Sequence, residues 1–380
     1  MNVSVPSVII QLVKRVGAHK RWVLLNPGPV NVTGRVRRAL LRPDICHREI
    51  EFSNLLHSLR EKILKIFGVA DTHTVAVFSG SGTTALEAML SSFVRPDQKI
   101  LVLSNGVYGD RIKSILEIHQ SSVLTLKTQI GDFPSLAQIE TLLKKDPLIY
   151  AIAMVHHETS SGMLNPLSEV GTLARRFRKL FLVDAISSLG AEPIDFKKTF
   201  IDALAGTSGK CLHGVPGASF VIVSKKALST LKDQKPRTLY LDLQNTLDWE
   251  EKGESPFTPA VHVLYAFHEA LCELETEGLR NRIKNYRKKS ELLEKGFEKL
   301  GLRFLVQKKF RSHVLTALWM PQGISYRKMH DALKKNGFVI YAGQSLLKDK
   351  IFRVSNLGDV SRADLDKFLI CLKDVLRGRR

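Results

Sequence analysis

The sequence has no long apolar run. No stretch of its 380 residues approaches the ~18 consecutive apolar residues that indicate a membrane-spanning helix. Its first residues, MNVSVPSVIIQLVKR, carry an apolar patch with the positive charges after it, the reverse of the order in a secretory signal peptide. The sequence therefore predicts a chain without a membrane partner, in which residues 1–20 form an N-terminal arm.

Cysteine is also scarce, with four in the whole chain and no C-x-x-C pair. The four are Cys46, Cys211, Cys272 and Cys371. Their wide spacing indicates neither a disulfide framework nor a zinc site, and no metal site is predicted. Reduced thiols are typical of the cytosol, so a cytoplasmic location is the expectation.

Acidic residues are outnumbered, with 37 Asp and Glu against 57 Lys and Arg, for a net charge of +20. Such a charge attracts anions, from phosphorylated metabolites to nucleic acid. The basic residues are scattered, with no RNA-binding motif and no basic region joined to heptads. We therefore expect small anionic substrates and no specific nucleic-acid partner.

From residue 55 to residue 223, helical and strand-like patterns alternate. Predicted strands are Thr74–Phe78, Lys99–Leu103, Ser122–Lys127, Tyr150–Val155, Lys179–Val183 and Ser219–Val223. Predicted helices are Leu55–Phe67, Thr83–Ser92, Leu136–Lys144 and Pro166–Phe177. Strands separated by helices predict an α/β fold with a mainly parallel sheet between helices.

A second, smaller unit is predicted at the C-terminus. A polar, irregular stretch from Lys225 to Thr258 precedes a long helix from about Pro259 to Glu275 and a basic helix to about Leu300. Later strands are predicted at Arg303–Val306, Val314–Trp319 and Phe338–Tyr341, with helices at Ser325–Lys335 and Arg362–Leu376. These patterns predict a large domain at 21–275 and a small α+β domain at 276–380.

The first candidate site is Phe78–Ala85, with the sequence FSGSGTTA, which passes from a predicted strand through a glycine turn into a helix. Glycines let the backbone approach an anion, and free N–H groups at a helix start bind phosphate. The GxGxxA spacing also fits a dinucleotide fingerprint, which expects an acid at the end of the next strand. That strand is followed by Ser-Asn-Gly, so a phosphate site is favoured over a dehydrogenase site, with a ligand-free turn as the alternative.

Two further candidates follow along the chain. Asp184 comes directly after an apolar strand, at the sheet edge where α/β proteins bind ligands, although a helix cap is an alternative for an Asp there. Lys210 lies in a loop of small residues, AGTSGK, and burial in such a loop makes a lysine amine nucleophilic. A phosphate site, an acid and a nucleophilic amine together match the phosphate, ring nitrogen and aldehyde of pyridoxal phosphate.

Three motifs carry a resemblance to a known family. They are the NPGP segment at 26–29, the segment His157–Pro166 (HETSSGMLNP) and the segment Lys210–Gly217 (KCLHGVPG). The last two are similar to HCETTTGxLNP and KCxxGVPG. The chain resembles the class V aminotransferases of fold type I from about Leu24 to Gly358, and among them the branch that acts on 2-aminoethylphosphonate and pyruvate.

The resemblance implies pyridoxal 5′-phosphate as the cofactor and gives roles to several residues. Lys210 would hold the cofactor covalently and move a proton during catalysis. Asp184 would keep the pyridine nitrogen protonated, with Ile186 on one ring face and Tyr108 on the other. Thr159 would reach the ring hydroxyl.

The same resemblance implies where anions bind. Ser81, Gly82 and Thr83 would hold the cofactor phosphate, and Thr258 would reach it from the other subunit of a homodimer with a shared active site. Arg353 would grip the anionic end of the substrate, a task that suits a bidentate guanidinium. Gly28 is also assigned to substrate binding.

Two segments depart from the resemblance. The residue before the lysine is usually Asn or Gln in these relatives but is Gly209 here. The segment Ile45–Phe52 is more similar to the alanine–glyoxylate and serine–pyruvate branch. Within it, His47 is either part of the substrate entrance or a helix-start residue.

Three functions follow as expectations. The first is transamination of 2-aminoethylphosphonate and pyruvate to phosphonoacetaldehyde and alanine, in either direction. The second is an alanine–glyoxylate or serine–pyruvate type aminotransferase for small amino acids. The third, outside the enzymes, is a basic binding protein with a degenerate cofactor site.

Overall fold

The structure is a computed structural model that describes residues 21–232 and 234–378. The predicted arm at 1–20 lies outside the described residues. The strands are β1 Val23–Leu24, β2 His73–Gly80, β3 Lys99–Ser104, β4 Ser122–Lys127, β5 Ile149–Val155, β6 His157–Glu158, β7 Met163–Leu164, β8 Leu180–Asp184, β9 Ala203–Thr207, β10 Gly217–Ser224, β11 Leu315–Trp319, β12 Phe338–Val339, β13 Tyr341–Ala342 and β14 Ile351–Ser355.

Thirteen α-helices surround these strands in the described chain. They are α1 Gly34–Ala39, α2 Ile50–Ile66, α3 Gly82–Phe93, α4 Val107–Ile118, α5 Leu136–Lys145, α6 Leu167–Arg176, α7 Phe196–Thr199, α8 Lys225–Leu228, α9 Leu243–Glu250, α10 Val261–Glu277, α11 Leu279–Lys299, α12 Tyr326–Lys335 and α13 Arg362–Leu376. Serine caps set several starts: the hydroxyls of Ser135, Ser325 and Ser361 accept first-turn N–H groups.

The central sheet has seven strands in the order β2-β10-β9-β8-β5-β3-β4. Strand β10 runs antiparallel to both of its neighbours, and the remaining strands run parallel to one another. Alternate residues of β3 point to opposite faces: Leu101 and Leu103 enter one apolar core, and Ile100 and Val102 enter the other. The mainly parallel α/β fold with helices on both faces is therefore confirmed.

The C-terminal part builds an antiparallel sheet of β11, β14 and β13 with its own apolar core. Strand β1 pairs in parallel with β12, and Leu25 joins the same core. The division into domains at 21–275 and 276–380 remains a prediction, and β1 lies in the first range although it packs with the second.

Two expectations about local structure were wrong. Arg303–Val306 forms no strand, because it meets β11 only through the isolated bridge of Phe304 with Leu318. The stretch from Lys225 to Thr258 is not irregular throughout, since it contains α8 and α9. Thr246 and Glu250 occupy buried positions of α9, so its polar sequence concealed an inward-facing helix.

No helix among the described residues has the length and apolar character to cross a membrane. Nor do those residues contain a cluster of three or more His, Cys, Asp or Glu side chains suited to a metal ion.

The outer edge of β2 is covered by two charged side chains. Arg60 of α2 donates from Nε to the carbonyl of Val75 at 3.0 Å, and the N–H of Val77 donates to Glu250 Oε1 at 2.9 Å. Arg60 Nε lies 3.4 Å from Glu250 Oε2, and both residues are buried. The pair satisfies an edge strand that would otherwise expose its N–H and carbonyl groups, and β2 leads directly into the glycine turn.

We expect Arg60→Met to lower the free energy of unfolding by about 2–5 kcal/mol, because it leaves the buried carbonyls of Val75 and Glu250 without their hydrogen-bond donor. Urea unfolding followed by circular dichroism measures this change. The control is Arg362→Met, which breaks an exposed pair with Asp366 and should cost less than about 0.5 kcal/mol. Equal losses in the two variants would contradict the role given to Arg60.

Candidate active site

The predicted site residues lie at one edge of the central sheet. Strands β2, β3, β5, β8 and β9 run in the same direction, so their carboxyl ends meet there. The segments at or after these ends carry, in the same order, Ser81–Thr83, Tyr108, Thr159, Asp184 and Lys210.

Lys210 is held close to the NPGP segment. Its Nζ donates to the carbonyl of Pro27, and a Cβ added at Gly28 would overlap the lysine side chain. Burial lowers the pKa of Lys210 to about 8, opposed by the negative charge of Asp184 and assisted by the positive charges of Arg111 and Arg353. Gly28 thus lies against the reactive amine, which explains why the position has no side chain.

Asp184 ends β8 and is buried. Its Oδ1 accepts the N–H of Ile186 at 2.9 Å. Burial raises the pKa of Asp184 to about 6, against the effect of that hydrogen bond. Ile186 packs so tightly on the start of α3 that a Cβ at Gly82 would lie 2.8 Å from it. The acid and the phosphate segment are therefore neighbours.

Helix α3 begins at Gly82 with an uncapped N-terminus. Its N-cap residue, Ser81, makes no side-chain hydrogen bond to the helix, so the first N–H groups remain available for an anion. Gly80 has φ of +155°, and a Cβ there would overlap Thr84. The turn therefore needs glycine at this position.

A buried carboxylate fixes the helix that carries Tyr108. Glu158 Oε2 accepts the N–H groups of Tyr108 and Gly109 at the start of α4, each at 3.1 Å. Its Oε1 accepts the N–H of Ser160 at 3.1 Å and also its hydroxyl. Burial raises the pKa of Glu158 despite these bonds. Sequence reasoning gave Glu158 no role, although it follows an apolar strand closely, as Asp184 does.

Arg353 reaches the same region from β14. Its Nε donates to the carbonyl of Ala342 at 2.8 Å, and its Nη1 donates to the carbonyl of Thr159 at 3.0 Å and to Gln344 Oε1 at 3.2 Å. Arg353 is only 2% exposed. Within residues 21–232 and 234–378 no carboxylate forms an ion pair with it. It is a buried cation whose counter-ion is missing from the described chain.

Arg111, one turn after Tyr108 on α4, is a second residue that sequence reasoning missed. Its guanidinium carbon lies 4.6 Å from the centre of the Tyr108 ring, and its Nη1 donates to Thr83 Oγ1 at 3.3 Å. The contacts connect the aromatic ring with the start of α3.

The family match decides the identification, because residues 34–368 match the class V aminotransferase family. The chain belongs to the class V aminotransferases. A 2-aminoethylphosphonate–pyruvate transaminase from Bacillus cereus is 35% identical over 356 residues, which cover 92% of this chain and 97% of that one.

Solved structures agree with this membership. The alanine–glyoxylate aminotransferase of Nostoc sp. superimposes with a TM-score of 0.89 at 28% identity, covering 99% of this chain and 100% of that one. The ureidoglycine–glyoxylate aminotransferase of Bacillus subtilis gives a TM-score of 0.89 at 26% identity, covering 95% and 94%. The chain is therefore an enzyme of fold type I that uses pyridoxal phosphate, as the resemblance implied.

The residues present fit this class V cofactor. An amine with a lowered pKa lies beside a carboxyl group at a strand end, and uncapped N–H groups lie at the start of α3. Tyr108 and Ile186 supply an aromatic ring and an aliphatic side chain on segments that border this space. These are the groups that the aldehyde, ring nitrogen, phosphate and ring faces require.

Thr258, the residue predicted to reach the phosphate from the other subunit, makes no described contact with Ser81–Thr83. Its side chain is exposed, and it lines a small pocket with Ser79, Tyr240 and Phe257. Contact with a cofactor in another subunit remains a prediction for this residue.

The two departures from the family pattern also have structural settings. A Cβ at Gly209 would lie 3.0 Å from the backbone of Pro216. Helix α2 begins at Ile50, and His47 lies before it with its ring against Phe52. Arg48 donates to Glu254 Oε2 and to the carbonyl of Ser255, four and three residues before Thr258.

A buried network of hydrogen bonds connects the segments that follow β3 and β5 with each other and with the C-terminal unit. Asn105 and Asn165 exchange amide hydrogen bonds of 2.8 and 3.3 Å. His157 hydrogen-bonds through Nε2 with Ser312 at 2.8 Å, which joins the site to the C-terminal unit. His157 and Asn165 lie in a segment that carried the family resemblance, but sequence reasoning gave these three residues no role, because their partners are distant in sequence.

We expect the purified enzyme to be yellow and borohydride to fix its cofactor on Lys210. Lys210→Ala should lose the fixed cofactor and nearly all turnover, whereas exposed Lys113→Ala should lose neither. Peptide mapping by mass spectrometry identifies the modified lysine, and modification elsewhere would contradict the assignment.

The attachment rate should depend on pH in a defined direction. Only the neutral amine attacks an aldehyde, so the rate rises with pH through the lowered pKa of about 8 and then levels off. For a lysine with the ordinary pKa of 10.5, the attachment rate would still be rising at pH values above 8. Stopped-flow absorbance during cofactor addition measures the profile, and a midpoint near the ordinary value would contradict the lowered pKa.

Proposed function

We propose that this enzyme exchanges an amino group between 2-aminoethylphosphonate and pyruvate, with phosphonoacetaldehyde and alanine as the other pair. The proposal rests on Arg353, a buried guanidinium without an ion-pair partner in the described chain. A buried charge is unfavourable unless it is paired, so this position calls for an anionic ligand. The 35% identity to a transaminase of this name supports the choice of anion.

The residues divide the chemistry among them. When bound, pyridoxal phosphate withdraws electrons from the substrate carbon that loses a proton. Lys210 Nζ, whose pKa is lowered to about 8, accepts and returns that proton near neutral pH. Asp184 would hold the ring nitrogen, and it is mainly ionised above its pKa of about 6. Arg353 orients the anionic end of the substrate.

A second candidate is transamination of small amino acids with glyoxylate or pyruvate. It is favoured by the Ile45–Phe52 segment, which is joined through Arg48 to the loop that leads to Thr258. The structural similarity to an alanine–glyoxylate aminotransferase supports it as well.

A panel of amino donors separates the two candidates. We expect kcat/KM for 2-aminoethylphosphonate to exceed that for alanine and serine by about tenfold or more. Alanine or ketone formation in a coupled assay measures the rates. A tenfold preference in the opposite direction would favour the second candidate.

Arg353→Ala should lower kcat/KM for the phosphonate. The loss of transition-state stabilisation should be about 2–5 kcal/mol, because the variant lacks a charged and largely desolvated contact. Arg353→Lys keeps the charge without the planar fork, so its loss should be intermediate. Exposed Arg327→Ala, which pairs with Asp331, is the control. Unchanged phosphonate turnover in Arg353→Ala would remove Arg353 from the site.

We infer that the enzyme is a homodimer whose subunits share the active site. Exposed apolar side chains lie around the exposed Thr258: Leu239 is 80% exposed, and Tyr240 packs on Phe257. Ile50, next to the Arg48 contacts with the same loop, is 65% exposed. A clustered apolar surface of this kind is typical of an interface.

Leu239→Glu should therefore weaken dimerisation and cofactor retention together, because a shared site couples the two by mass action. Sedimentation equilibrium and cofactor absorbance measure the two effects. Leu148→Glu, at an exposed leucine elsewhere, should change neither. A fully active monomer would contradict the shared site.

We propose a cytoplasmic location and small anions as the partners of the basic surface. The four cysteines are free, which fits a reducing compartment. Cell fractionation tests the location. Tight, sequence-selective DNA binding at physiological salt would contradict the second part.

A further inference from the structure

The function proposed above leaves one cation of the site without a task. Arg111 is partly buried, and its guanidinium lies over the Tyr108 ring. Its Nη1 donates a hydrogen bond to Thr83 at the start of α3. Its side chain thus ends beside the uncapped N-terminus that fits a phosphate group.

Arg111 has no carboxylate partner within the described residues. The carboxylate of Glu158 lies at the start of the helix that carries Arg111, but its oxygens are occupied by N–H groups and the Ser160 hydroxyl. The charge of Arg111 lowers the pKa of both Asp184 and Lys210. Its positive charge therefore acts across the site without a direct ion pair, and an anion beside it would be stabilised.

The residue directly before Lys210 offers no side chain for that anion, and the hydroxyl of Ser208 already donates to backbone carbonyls. Gly209 has no side chain, and the backbone of Pro216 occupies the space that its Cβ would need. Thr83 places a hydroxyl next to the anion site, and Arg111 holds that hydroxyl with one of its five N–H groups, which leaves others for a second acceptor.

We propose that Arg111 binds the phosphate group of the cofactor, together with the N–H groups at the start of α3. The inference depends on the cofactor of the family and not on the identity of the amino donor. A guanidinium suits this task, because its planar fork matches phosphate oxygens.

The competing explanation is that Arg111 only supports the Tyr108 ring by a cation–π contact. The two explanations differ in what the cofactor must carry. If Arg111 contacts the phosphate, its removal weakens the binding of pyridoxal phosphate. The binding of pyridoxal, which has no phosphate, then stays nearly the same. A loss of ring support affects both compounds alike.

The test uses the full-length chain, freed of cofactor and reloaded with pyridoxal phosphate or with pyridoxal. Dissociation constants are measured by absorbance, together with inhibition of reloading by inorganic phosphate. Arg111→Met should raise the dissociation constant of pyridoxal phosphate about 10–100-fold, the loss expected for a charge-assisted contact. Binding of pyridoxal should change less than about twofold, and inhibition by phosphate should weaken. Arg111→Lys should fall between the wild type and Arg111→Met.

Two further variants calibrate the result. Tyr108→Leu removes the ring itself and should weaken the binding of both compounds equally. Arg175→Met removes a guanidinium that lies 4.3 Å from the centre of the Phe200 ring, away from the site, and should weaken neither. Equal losses for both compounds in Arg111→Met, or no loss for pyridoxal phosphate, would overturn the proposal. A variant that purifies without cofactor yet binds pyridoxal normally would support it.

Discussion

The carboxylate of Glu158 accepts the N–H groups of Tyr108 and Gly109 at the start of α4. Burial of a carboxylate is unfavourable, but free N–H groups and the positive end of a helix offset much of that cost. This contact joins the segment after β5 to the helix after β3. It thereby fixes the Tyr108 ring, the Arg111 side chain on the next turn, and the Thr159 carbonyl that holds Arg353. Most of the site depends on this one acceptor.

Close packing around this contact requires missing side chains. A Cβ at Gly106 would overlap the carboxyl group of Glu158, and a Cβ at Gly82 would press on Ile186. These glycines therefore set distances between segments. The sheet brings the strand ends to one edge, and the glycines let the following segments approach until the acid, the amine and the uncapped helix start border one space.

The sequence was informative where function and local pattern coincide. Asp184 and the glycine turn each follow a predicted apolar strand, so a parallel sheet predicts that they meet. Lys210 was identified from its loop of small residues, and the strand before it, β9, was not predicted. Arg111 and the supporting task of Glu158 escaped prediction, because each depends on a contact between segments distant in sequence. The failed strand at Arg303–Val306 has the same origin, because its pairing depends on a distant segment and only a single bridge to β11 forms.

Two arginines of the site destabilise the protein as long as no anion is bound. Arg353 is buried and Arg111 partly buried, and neither has an ion-pair partner among the described residues. Each raises the free energy of the site until an anion arrives. A ligand that binds only the folded chain also stabilises it by mass action, so anions that neutralise these cations stabilise the fold and the catalytic arrangement together. Selection of anionic ligands then follows from the same electrostatic term, because a neutral analogue of either ligand would leave one of the two guanidinium groups without its anion.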